Sequence, residues 1–160
     1  MSLGILFPGQ GSQSIGMLKD LKSSFKVVSE IFEEASDYLS CDLWKITKNG
    51  PESKINDTEF TQPIMLCSAF SDWKIWNDEG GEKPIFLAGH SFGEYTALCA
   101  SEAVKFKDAV KLVKKRAECM KAAGLIHSAY LSLRGHRRVV CSPVGVRTGS
   151  NSHQLNHIAI

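Results

Sequence analysis

Hydrophobic positions along the first 124 residues switch between short solid runs and helical spacing, and that switching predicts the elements. Leu3 to Phe7 is a compact apolar run stopped by Pro8-Gly9-Gln10-Gly11, which reads as a strand entering a loop. From Met17 to Leu39, Leu18, Leu21, Phe25, Val28, Ile31, Phe32 and Ala35 recur at threes and fours, the spacing of helices laid on one sheet face. A break is expected near Lys22-Ser23-Ser24. Asp42 to Lys48 predicts a further helical turn ended by Asn49-Gly50-Pro51, and the polar stretch Glu52 to Glu59 reads as a loop. Thr61-Gln62-Pro63 then opens a helix, with Pro63 in its first turn. The helix runs from Ile64 to Asn77 and is apolar on most sides, so it belongs in the core; Glu79-Gly80-Gly81 closes it. Pro84 to Ala88 predicts a second strand, Glu94 to Ala100 a helix, and Asp108 begins another over Ala109 to Ala123. Strands alternating with helices predict an α/β fold, a parallel sheet core flanked by helices.

Composition changes this picture at one point. All 17 acidic residues lie at or before Glu118, and no lysine follows Lys121. After Gly124 the charges are Arg134, Arg137, Arg138 and Arg147, in company with His127, His136, His153 and His157. Such a switch favours residues 125–160 coming from a different coding register over a plain basic tail, and it divides the chain into 1–124 and a divergent, poorly ordered 125–160. The remaining bulk numbers are those of a globular domain: 43% hydrophobic, 22% charged, net charge +2. No basic stripe interleaved with aromatics points to nucleic acid, no apolar run is long enough to span a bilayer, and a monomer is expected. The chain enters its first strand without a signal peptide. Five cysteines without a C-x-x-C pair read as reduced, buried thiols. His153 and His157 could share a helix face, but no third ligand accompanies them, so no metal site is expected.

The candidate chemistry begins at Gly89-His90-Ser91-Phe92-Gly93, a G-x-S-x-G between strand and helix. A sharp strand-to-helix turn needs flanking residues without Cβ, and it presents the serine hydroxyl at the sheet edge beside the next helix's free N–H groups. Ser91 is therefore the candidate nucleophile. The Phe7-to-Gln13 loop lacks the adjacent Lys-Ser/Thr pair of a phosphate cradle, but its glycine-flanked Gln10 can offer a backbone N–H to a ligand. Arg116 breaks its helix pattern: Leu112, Val113, Cys119 and Met120 surround it, while Lys111, Lys114 and Lys115 take the polar side. A guanidinium on an apolar face must be paired or must receive an anion, and its planar fork suits a carboxylate.

FPGQGSQ near the start, TQP in the middle, and GHSFGEYTAL followed by KLVKKRAECM together resemble the malonyl-CoA:acyl-carrier-protein transacylase family, which includes the acyltransferase domains of fatty-acid and polyketide synthases. The resemblance runs from about Leu3 to Ala123. It implies the α/β-hydrolase-like large subdomain of that fold, in truncated form. It implies Ser91 as the nucleophile that takes malonyl from malonyl-CoA, as substrate, and passes it to the phosphopantetheine thiol of acyl carrier protein in fatty-acid biosynthesis. No separate cofactor is implied. Backbone N–H groups of Gln10 and Phe92 would form the oxyanion hole, Arg116 would hold the malonate carboxylate, and Gln62 would support the site. His90 adjoins the nucleophile, but on so tight a turn its ring should point away from the hydroxyl.

The chain also departs from that family. The general-base histidine and the small ferredoxin-like subdomain that follow the arginine helix in such enzymes have no counterpart before residue 160. Without a base, serine activation weakens severely, so an inactive chain is one expectation. Two other functions fit the same elbow: a serine esterase or thioesterase, which has no use for Arg116, and a non-catalytic truncated isoform acting as an interaction protein. A cytoplasmic location is expected, or a mitochondrial or plastid one if a transit peptide has been removed.

Overall fold

The structure, a computed structural model, describes residues 3–124 together with the backbone of 139–142 and 145–148. Strand β1 (Gly4–Phe7) leads through the Gln10 loop into α1 (Lys19–Ser24) and α2 (Lys26–Leu39), followed by α3 (Leu43–Asn49), α4 (Glu52–Ile55) and the long α5 (Thr58–Asp78). Strand β2 (Phe86–Gly89), α6 (Gly93–Ala100) and α7 (Phe106–Ala122) complete the site-bearing part; β3 (Val139–Ser142) and β4 (Gly145–Thr148) follow. Sheet order is β1-β2-β3-β4. β1 and β2 pair in parallel, Gly4 opposite Phe86 and Phe7 opposite Gly89, whereas β2–β3 and β3–β4 are antiparallel. The predicted α/β class is present, in a mixed sheet whose parallel part is the β1–β2 pair.

Periodicity located most helices because their buried faces are continuous. Val28, Ile31, Phe32 and Ala35 of α2 are buried, with Leu43 and Ile46 of α3, Ile64 and Leu66 of α5, and Val110 and Val113 of α7. The break before α2 falls at Phe25, whose extended backbone (φ −128°, ψ 113°) ends one helix and starts the next. α5 lies at the centre, with Thr61 to Ala69 buried without interruption, as its lack of a polar face predicts. A smaller cluster joins Phe7 and Leu87 of the strands to Ala69, Ala97 and Ala100.

Two boundaries differ from the pattern-based expectation. The stretch 52–59, expected to be a loop, forms α4 and the start of α5. Asp57 caps α5 by accepting from the Glu59 backbone N–H at 3.1 Å, so the helix begins three residues before Thr61. Pro63 accordingly lies inside α5, where it removes one backbone donor. α7 likewise begins at Phe106, ahead of Asp108, which falls in its first turn. The thiols also divide: Cys67 and Cys99 are buried, but Cys119 is exposed and Cys41 half-buried, because exposure there follows the outer faces of their segments. Burial pushes the Cys99 thiol up to about 12. Of the expected divergent segment, β3 and β4 are in the sheet as backbone, while His127, His136, His153 and His157 lie outside the described residues. Among the described residues no helix is long and apolar enough to cross a membrane.

Candidate active site

The turn after β2 is built by exclusion of side chains. A Cβ at Gly89 would run into the backbone of Gly93 and Glu94, and one at Gly93 would meet the Phe7 and Pro8 carbonyl oxygens at 2.5 and 2.6 Å. Between them Ser91 adopts φ 57°, the left-handed region, at a cost of order 1–2 kcal/mol for a residue with a Cβ. The turn is closed by Gly93 N–H donating to the His90 carbonyl at 2.9 Å and Glu94 N–H to the Ser91 carbonyl at 3.2 Å. Phe92 is fully buried and joins the main helical core, which anchors the turn from its far side. The strained backbone is thus held from both sides, and the hydroxyl stands at the sheet edge.

α7 brings Arg116 onto that hydroxyl. Arg116 Nη2 donates to Ser91 Oγ at 2.9 Å, and Nη1 donates to Gln62 Oε1 at 2.8 Å. Gln62 is wholly buried in α5, and its Nε2 faces Thr58 Oγ1 at 3.2 Å, Met120 Sδ at 3.4 Å and Gln10 Oε1 at 3.4 Å. Thr58 Oγ1 in turn donates to Gln10 Oε1 at 2.9 Å. A continuous hydrogen-bonded chain therefore runs from the Gln10 loop through Thr58 and Gln62 to Arg116 and Ser91. Burial lowers the affinity of Arg116 for its proton, opposed by the nearby Tyr95 and Glu94; an arginine nonetheless stays charged at any working pH. Both of its hydrogen-bonded acceptors here are neutral, which leaves a cation able to exchange one of them for an anion.

The helix face that carries Arg116 differs from the expected one. Leu112 is 48% exposed and Cys119 is exposed, so they do not enclose the guanidinium. The buried stripe of α7 is Ala109, Val110, Val113 and Ala117, and Arg116 sits at its edge, half-buried. Its placement follows from Gln62 and Ser91, not from a surrounding apolar face. Beside it, Lys114 binds Glu59 at 2.8 Å, and Lys121 binds Asp57 and Glu59 at 2.8 and 3.0 Å. These pairs clasp the start of α5 to α7, and the hydrogen bond from Lys114 leads in holding the Glu59 carboxyl below its ordinary range.

The backbone N–H groups of Gln10 and Phe92 donate to no other group among the described residues. His90 is exposed, and its Nδ1 edge lies where a side chain on Gly9 would have to go, so the ring rests on the Gln10 loop. The structure thus brings together Ser91, Arg116 and Gln62, with Gln10 linked through Thr58. Thr58 does not stand out in the sequence because its segment has the composition of a loop. Asp57 as an N-cap would have exposed it, since Thr58 and Gln62 then share a helix face four residues apart. Among the described residues no cluster of His, Cys, Asp and Glu is arranged to hold a metal ion.

A sequence profile of the acyl transferase domain matches residues 5–146. The chain belongs to the acyl transferase domain family. Within that family, malonyl CoA-acyl carrier protein transacylases of Salmonella typhimurium and Escherichia coli are each 45% identical over 118 residues, covering 74% of this chain and 38% of theirs. Among solved structures, the transacylase of Coxiella burnetii superposes with TM-score 0.75 at 45% identity, over 76% of this chain and 39% of that one. A malonyl-transacylase solved in complex with a type II polyketide synthase acyl-carrier protein also gives 0.75 at 45% identity, over 77% and 40%. The chain therefore spans about 40% of the length of these family members.

Proposed function

We propose that the chain carries the acyl-accepting half of a malonyl transfer. Ser91 Oγ attacks the thioester carbonyl of malonyl-CoA, the C–S bond breaks, and coenzyme A leaves as its thiol with the proton from the hydroxyl. The resulting malonyl-Ser91 ester is then attacked by the phosphopantetheine thiol of an acyl carrier protein, which takes the malonyl group and returns the proton to Ser91. Gln10 and Phe92 N–H groups stabilise the oxyanion in both steps. The observation that carries this reading is the Arg116–Ser91 contact at 2.9 Å. A guanidinium that close to the nucleophile is positioned for a free carboxylate at the far end of a short acyl group, and it gives nothing to a neutral acyl chain. Relatives named for malonyl transfer to acyl carrier protein, and one solved with such a carrier, support the choice of both substrates. The hydroxyl donates to no imidazole nitrogen among the described residues, so both acylation and turnover are expected to be slow.

Intact-mass measurement of Ser91 after incubation with malonyl-CoA or acetyl-CoA tests this. The parent should load malonyl in preference, and Arg116→Ala should lose malonyl loading by roughly a hundredfold while acetyl loading changes little. Equal malonyl loading by parent and variant would remove Arg116 from the reading. A folded chain whose Ser91 resists both thioesters and a fluorophosphonate would favour the non-catalytic interaction role.

A further inference from the structure

Thr58 has no place in the chemistry just described, yet it is 3% exposed and its hydroxyl occupies the junction of the site. As donor it holds Gln10 Oε1 at 2.9 Å; as acceptor it faces Gln62 Nε2 at 3.2 Å. A hydroxyl offers one proton and accepts through its lone pairs, so this single atom fixes two amides in complementary senses. Gln10 is on an exposed loop where Gly11 has φ 124°; the Gln13 side chain accepts from Gly11 N–H at 2.9 Å and donates to Asn56 at 3.0 Å, and the Thr58 bond is the one that ties Gln10 itself to the start of α5. Gln62 keeps its Oε1 toward the donor-only Arg116, and Thr58 Oγ1, accepting from Nε2, holds the other edge of the same amide. The alternative acceptors for Nε2 are weaker, a thioether sulfur and a glutamine oxygen, both at 3.4 Å.

We propose that Thr58 is a positioning residue, whose hydroxyl sets both the Gln10 loop, with the backbone N–H it offers to the oxyanion, and the Gln62 amide that orients Arg116. This rests on the malonyl-transfer reading for its consequence, though not for its geometry. Thr58→Val keeps the shape and removes both hydrogen bonds, while Thr58→Ser keeps them. Gln10→Ala keeps the loop's N–H and removes only the acceptor that Thr58 holds.

The experiment measures Ser91 labelling by fluorophosphonate and by malonyl-CoA, together with the amide resonance of Gln10 and the guanidinium resonance of Arg116. Thr58→Val should slow fluorophosphonate labelling roughly tenfold and malonyl loading more, because only the latter also uses Arg116. Thr58→Ser should restore both, and both resonances should move in the valine variant and return in the serine one. Gln10→Ala should reproduce the fluorophosphonate loss but spare more of the malonyl preference, which keeps the inference testable if Thr58→Val fails to fold. Labelling by folded Thr58→Val, or by Gln10→Ala where it does not fold, at the parent's rate would overturn the role. If the parent itself is not labelled, malonyl transfer fails, and the resonances decide Thr58 alone: unmoved signals overturn it and shifted, serine-restored signals support it.

Discussion

The site has two halves that reach the same few ångströms by different means. The turn around Ser91 is made by backbone, where Gly89 and Gly93 are required because any side chain would enter a neighbouring main chain. The α5–α7 half is made by side chains, with Gln62 and Arg116 brought together from 54 residues apart by one hydrogen bond. Steric exclusion is local and tolerates no adjustment. A hydrogen-bonded pair between helices is assembled only when both helices are correctly placed, and it can yield by degrees.

Breaking the first half should therefore have the larger effect. Gly93→Ala is expected to destabilise the fold by about 3 kcal/mol or more, read from the denaturation midpoint, because β1 must move away from α6 to make room. A midpoint within error of the parent would show that the turn is looser than drawn. In the second half, Gln62→Leu should cost about 1–3 kcal/mol, since it leaves the Arg116 donor without its buried acceptor, takes from the Thr58 oxygen the N–H it accepts, and adds no apolar gain at a polar site. If Gln62→Leu proves as damaging as Gly93→Ala, the contrast between the halves fails.

The smallest effect concerns the clasp of Lys114 and Lys121 on Glu59. Because the Glu59 carboxyl titrates below its ordinary value of 4.5, the clasp stabilises the fold above that value and loses its contribution as pH falls through the depressed folded value. The melting temperature of the parent should then decline through that acidic window slightly more than that of Lys114→Met, whose Glu59 keeps only the Lys121 pair. Parallel curves would show that the half-exposed pairs contribute nothing.

The same contrast explains what the sequence could reveal. Gly89, Ser91 and Gly93 are legible because local sterics write themselves into adjacent residues. The face of α2 is legible because its burial repeats with the helical period, and α5 is legible as a core helix because it has no polar face. Arg116 stands out in the sequence by neighbours that do not bury it: Leu112 and Cys119 face outward, and the residues that place it are Gln62 and Ser91, which no periodicity connects to it. Thr58 was hidden by a run of polar residues, whose preference for loops was overridden once Asp57 capped α5. The antiparallel β3–β4 pair follows from pairing partners, which residue type alone does not specify.

Pro63 gives the start of α5 a particular allegiance. With no N–H at that position, the Glu59 carbonyl one turn earlier lacks its usual partner within the helix. Yet the Glu59 side chain is bound across to Lys114 and Lys121. The opening turn, which carries Thr58, is thus tied by ion pairs to the neighbouring helix at the place where its own helix lacks one backbone bond. When α7 shifts, that turn should travel with it, and Gln62 and Arg116 should stay in step.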